Sequence, residues 1–153
     1  MKKLVFILLI LFYVTGCSAN SMEVSEEKDV DTNEIDFDIY MSILKNEVKS
    51  DFELTNNMSL KGYSTFLYDE LEYDEKSFNI LFEDGEEGDV IPVAFIDGNK
   101  GILVRKKYYG DNQVYNINFN IKNDKWEIID DEIVKSDLVI TEDYLLALYE
   151  KDL

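Results

Sequence analysis

"GILVRKKYYGDNQVYNINFNIKNDKWEIID", residues 101–130, decides the fold. Three runs rich in β-branched and aromatic residues, "ILVRKKYY", "QVYNINFNI" and "KWEIID", are separated by the turn-forming clusters "GDN" and "KND". In the middle run Tyr115, Ile117, Phe119 and Ile121 alternate with Asn116, Asn118 and Asn120. That is the pattern of a strand with one dry face and one wet face. Trp126 and Ile128 continue it beyond the turn. Connections this short join antiparallel neighbours, because a parallel return needs a crossover of a dozen or more residues.

Upstream, "VIPVAFI" runs into "DGNKG", and "SFNILFE" into "DGEEGD". Both read as further strands, which makes a meander of about five. Pro92 lacks an N–H for the ladder, so "VIPVAFI" is expected at an edge or with a bulge. "FLYDELEY", within Leu60 to Tyr73, fits either a short helix or an irregular strand. From Glu34 to Leu54 the periodicity changes. Phe37, Tyr40, Met41, Leu44, Val48 and Phe52 recur every three or four residues, on one face of a helix. Thr32 or Asn33 is its expected cap, Glu34 and Asp36 complement its dipole, and "TNN" at 55–57 stops it. At the other end Thr141 opens "TEDYLLALYE", a short helix with Tyr144, Leu145, Leu148 and Tyr149 as its apolar stripe. The expected fold is α+β: an N-terminal helix packed on one face of a curved antiparallel sheet, closed by a short C-terminal helix, with residues 34–153 as one domain.

The first 17 residues carry an address. Lys2 and Lys3 precede an apolar run from Leu4 to Val14, and the small residues Thr15 and Gly16 lead to Cys17, the only cysteine. As a helix such a run reaches roughly 17 Å against a bilayer core of about 30 Å, so it suits a signal peptide rather than a permanent span. Val14-Thr15-Gly16-Cys17 resembles the lipobox of bacterial lipoproteins, with Val in the place usually held by Leu. The resemblance implies cleavage between Gly16 and Cys17, acylation of Cys17, and a membrane-anchored protein outside the cytoplasm. Two acyl chains anchor stably where one holds only marginally. Residues 17–33 are then the lipidated cysteine and an acidic tether, too polar for a packed element.

The segment 101–130 is also similar to the last hairpins of NTF2-like (cystatin-like) cone-shaped α+β domains, through its closing strand Lys125-Trp126-Glu127-Ile128. This second resemblance implies a pocket between the first helix and a concave sheet. In some members of that family the pocket is catalytic, and in many lipoproteins it only binds.

Composition narrows the chemistry. The formal charge is −18, with 33 acidic residues against 15 basic ones. Nucleic acid is therefore excluded as a partner, because phosphates need clustered Lys and Arg. Arg105, Lys106 and Lys107 are the one basic cluster, and they read as a solvated strand face. Histidine is absent, which removes the usual general base and the commonest metal ligand. No catalytic, cofactor or metal residue is nominated. Glu83, Asp84, Glu86, Glu87 and Asp89 crowd one loop that reads as an acidic hairpin connection, with a Ca²⁺ site as the competing reading. Asp69, Glu70, Glu72, Asp74 and Glu75 read as a solvated face, and Tyr63, Tyr68, Tyr73, Tyr108, Tyr109 and Tyr115 as sheet aromatics with wet hydroxyls. The expected function is a non-enzymatic acidic binding domain for a basic protein partner, of inhibitor or immunity type, or for an envelope component. The alternative is a small-ligand pocket or a carboxylate-dependent enzyme.

Overall fold

Tight turns fold the last four strands back on one another and a longer link over residues 68–92 sets the first beside the second, so strand order in the sheet is chain order: β1 (Ser64–Leu67), β2 (Val93–Asp97), β3 (Lys100–Lys106), β4 (Asn112–Asn120) and β5 (Lys125–Val134), all antiparallel. The structure, a computed structural model, describes residues 35–152. Three helices complete it: α1 (Phe37–Asn56), α2 (Glu75–Glu83) and α3 (Glu142–Asp152). The fold is α+β.

The expected meander has the right number of strands but one wrong member. "SFNILFE" is α2, a helix, and the fifth strand comes instead from "STFL", just before a single 3₁₀ turn at Tyr68–Glu70. Seven residues with Phe78, Ile80, Leu81 and Phe82 satisfy both periods. Local capping decides between them. The Asp74 carboxylate accepts from the Ser77 N–H at 2.9 Å, and Glu75 favours the positive helix end. Phe78 and Leu81 then fall on one buried face.

That helix gives the sheet two dry faces where one was expected. Val93, Phe95, Val104 and Val114 pack with Leu44, Val48 and Phe52 of α1 and Leu145 and Tyr149 of α3. Ala94, Leu103, Tyr115 and Ile117 pack on the opposite side with Phe78 and Leu81 of α2. β4 is accordingly buried on both sides from Asn112 to Tyr115 and alternates only beyond Tyr115. Ile121, expected on the dry face, lies in the turn and is 76 % exposed. The space between α1 and the sheet, which the NTF2-like resemblance makes a pocket, holds Val48, Phe52, Phe95 and Val104 at 0–2 % exposure.

Pro92 also differs from expectation. β2 is flanked by β1 and β3, so it is no edge strand. Pro92 lies one residue before the ladder, where its missing N–H costs nothing, and its carbonyl accepts from the Tyr68 N–H at 3.0 Å. The irregularity is in β5, where Asn116 faces Asp130 but Ile117 faces Ile128, leaving Ile129 as the bulge.

α1 begins later than expected. Its cap is Asp36, whose Oδ1 accepts from the N–H groups of Asp38 and Ile39, and it ends at Asn57 in the left-handed region. Thr32, Asn33 and Glu34 lie outside the described residues. α3 starts as expected: the Thr141 hydroxyl accepts from the Tyr144 N–H at 3.2 Å. Tyr149 Oη accepts from the Asp36 N–H at 2.9 Å, fastening α3 to the start of α1.

Candidate functional site

The basic cluster expected on a wet face is buried. Arg105, Lys106 and Lys107 are 6 %, 0 % and 5 % exposed. Strand alternation points them to opposite faces, and both faces are covered. Lys106 Nζ pairs with Asp51 Oδ2 of α1 at 2.6 Å. Asn112 Nδ2 donates to the same oxygen at 2.7 Å, and the Ser136 hydroxyl donates to Asp51 Oδ1 at 2.6 Å. Lys107 pairs with Asp89 at 2.8 Å and Glu86 at 3.1 Å, and Arg105 Nη2 donates to the Leu81 carbonyl near the end of α2. Burial draws Lys106 below the usual lysine range against the pull of Asp51. Lys107, also desolvated, is held above it by Asp89 and Glu86.

Ser136 beside Lys106 has the residue types of a serine–lysine nucleophile but the wrong hydrogen bonds. Ser136 Oγ accepts from Lys106 Nζ at 2.9 Å and gives its own proton to Asp51. A nucleophile needs its base to accept that proton. The cluster instead joins α1, β3, β4 and the 135–138 segment. Asp51 carried a readable signal, since it follows Val48 by three residues on the apolar side of α1.

The acidic loop is not a hairpin connection but the link from α2 to β2. Three of its five carboxylates, those of Glu83, Glu86 and Asp89, have internal partners. Asp89 accepts from the N–H groups of Glu86 and Tyr108 as well as from Lys107. Burial works against ionisation of Asp89, yet those donors hold its pKa below the ordinary value. Among the described residues no group of three acids is placed to hold a metal ion. The second acidic run is partly structural too, with Asp74 capping α2 and Glu70 paired with Lys45 at 3.1 Å. Of the tyrosines, Tyr108 and Tyr109 are exposed, whereas Tyr115 is fully buried with no hydrogen-bond partner for its hydroxyl. Burial pushes its pKa up to about 12.

A sizeable concavity lies at the rim of the sheet rather than over it. It is a groove of about 690 Å³ between the first turns of α1, the start of α3 and the α2–β2 connection. Met41, Leu44, Leu67, Val90, Ile140 and Leu145 give it an apolar lining. Phe37, 68 % exposed, and Tyr108, 52 % exposed, stand at its mouth. Gly88 makes the second of these placements possible. Its φ is +89°, and a Cβ there would come within 3.1 Å of the Tyr108 Cβ. Asp69, Asp89 and Glu142 are the acids of the groove, with Asp89 already paired to Lys107, and among the described residues no lysine or arginine lines it. Desolvation and the negative charge of Glu142 together raise the Tyr40 pKa.

Residues 1–18 match the family model of the prokaryotic membrane lipoprotein lipid attachment site. The chain is therefore a bacterial membrane lipoprotein, lipid-anchored outside the cytoplasm. Gly16 and Cys17 lie outside the described residues, and among those described no helix is long and apolar enough to cross a membrane. No curated protein and no solved structure matches the chain.

Proposed function

We propose that this lipoprotein is a non-enzymatic docking module whose rim groove takes a basic, amphipathic segment of a protein partner outside the cytoplasm. The observation that carries the reading is the groove itself: some 690 Å³ with an apolar lining, aromatic side chains at the mouth and, among the described residues, acids as its only charged side chains. An apolar floor suits one face of a helix or a few anchor side chains, and the rim suits Lys or Arg beside them. The wider charge of −18 adds attraction at a distance, which speeds encounter and fades with salt. An inhibitor or immunity role against a basic toxin or enzyme is the version that uses all of these features. In the same proposal Cys17 is the acylated residue and the Gly16–Cys17 bond the cleavage site.

The reading is tested with the full lipidated protein in zwitterionic vesicles and a synthetic peptide carrying Leu on one helical face and Lys on the other. Binding is expected to weaken at high salt, to weaken when Gln replaces Lys in the peptide, and to fall in Glu142→Lys and Phe37→Ala. Binding that ignores both substitutions and salt would remove the groove from the account. Tight capture of an uncharged apolar ligand, with none of the peptide, would favour a small-ligand pocket instead.

A further inference from the structure

Arg105 differs from its two basic neighbours in having no carboxylate. It is 6 % exposed and forms no ion pair with any described residue, in a chain with 33 acids. Its bond to the Leu81 carbonyl is explained by the end of α2, where unpaired carbonyls and the negative end of the helix dipole favour a cation. That accounts for Nη2 only. Nη1 is buried with no hydrogen-bond partner among the described residues, a costly state for a charged donor.

Arg105 forms part of the wall of a separate cavity of about 240 Å³, which shares only Asp89, Val90 and Ile91 with the groove. Tyr68, Phe82 and Pro92 give it apolar and aromatic walls. Gly85 covers the guanidinium from the loop side: a Cβ there would lie 3.4 Å from Nη1, so the native residue leaves that flank without a side chain. Glu86 and Asp89 also line the cavity, but both are drawn to Lys107, at 3.1 and 2.8 Å.

We propose that this cavity binds a small monocarboxylate with a compact apolar body, whose carboxylate supplies the counter-charge that Arg105 lacks. A guanidinium presents a planar fork that matches a carboxylate. The nearby Glu86 and Asp89 disfavour ions of higher charge, and the volume limits the body to about one ring or a short branched chain. The site does not depend on the groove having a protein partner.

Benzoate and its neutral counterpart benzamide are the probes, titrated calorimetrically into the full lipidated protein in non-ionic detergent. Benzoate is expected to bind saturably, with benzamide at least about tenfold weaker, the smallest loss that a missing charge-assisted hydrogen bond implies. Gly85 has ordinary backbone geometry, so Gly85→Leu fills the cavity while leaving the bond to Leu81 in place. It is expected to weaken benzoate at least about tenfold as well, a 1.4 kcal/mol difference. The guanidinium NMR resonance of Arg105, identified by its loss in Arg105→Lys, is expected to shift as benzoate is added. Equal affinity for the two probes, unchanged affinity in Gly85→Leu, or an unmoved guanidinium resonance each overturns the site.

Discussion

Lys106 Nζ lies 2.6 Å from Asp51 Oδ2, with both side chains almost wholly removed from water, so one ion pair ties the middle of the sheet to α1. Removing one partner leaves the other charged and buried, whereas replacing both with apolar groups removes both buried charges and leaves only the neutral Asn112 amide and Ser136 hydroxyl without their acceptor. Asp51→Ala is expected to lower stability by about 3–5 kcal/mol. Asp51→Leu combined with Lys106→Met is expected to recover most of that loss. Urea denaturation of Asp51→Leu, Lys106→Met and the double variant gives the coupling directly. Additive losses would mean that the pair does not act as a unit.

Tyr115 makes the opposite prediction for a buried polar group. Its hydroxyl has no partner, so Tyr115→Phe is expected to be neutral or to stabilise by roughly 1 kcal/mol. The pH dependence follows from its pKa of about 12 in the folded state. A raised folded value means that stability is intact below the unfolded pKa of about 10 and is lost as pH rises toward about 12. Tyr144, pushed up to about 12 by its bond to Glu47 and by burial, acts in the same window. Thermal melts between pH 9 and pH 12 are expected to show a steep fall that is shallower in Tyr115→Phe; identical profiles would contradict the assignment.

At the acid end Asp89 governs the α2–β2 connection. Its folded pKa is depressed, so its contribution is present above the unfolded value of about 4 and is lost as pH falls through the folded one. Hydrogen exchange of the Glu86 and Tyr108 amides, which donate to Asp89, is expected to accelerate in that window before the sheet opens. Lys107→Met raises the pH at which this begins. Loss of protection in the sheet at the same pH would mean that the loop is not separately controlled.

Gly110 turns β3 into β4 at φ +109°, and a Cβ there would approach the Ser136 carbonyl oxygen to 2.9 Å. Backbone conformation and steric contact both oppose a side chain. Gly110→Ala is expected to cost roughly 2 kcal/mol or more, read as a shift of the urea midpoint at constant slope. Gly62, also at positive φ but with nothing within 4 Å of a Cβ, is the control and is expected to lose less on the same substitution.

Cys17→Ser is expected to abolish palmitate labelling and to move the protein out of the membrane fraction, since one residue carries the anchor under the proposed assignment. Persistent labelling would place the lipid elsewhere.

Much of the fold was legible because its signals are local. "DGNKG", "GDN" and "KND" mark the three hairpin turns of the sheet at the positions the structure uses. The stripe from Tyr40 to Phe52 predicts α1, Thr141 predicts the start of α3, and the first 18 residues declare the membrane address. Turn chemistry, helical period and a signal segment are each properties of a few adjacent residues.

Only the tertiary structure decided what covers each face of the sheet. Once Asp74 caps "SFNILFE" into a helix, α2 closes the second face, and the expected wet side of β3 becomes interior. Arg105 and Lys107 are then dry because of residues some 20 positions upstream, and Lys106 because of Asp51, 55 positions away. The groove arises in the same way, since Phe37, Leu67, Val90 and Leu145 meet only when four separate segments converge. A strand pattern states that a side chain points up or down, but the solvent or counter-charge that it meets there is set by the packing of distant elements.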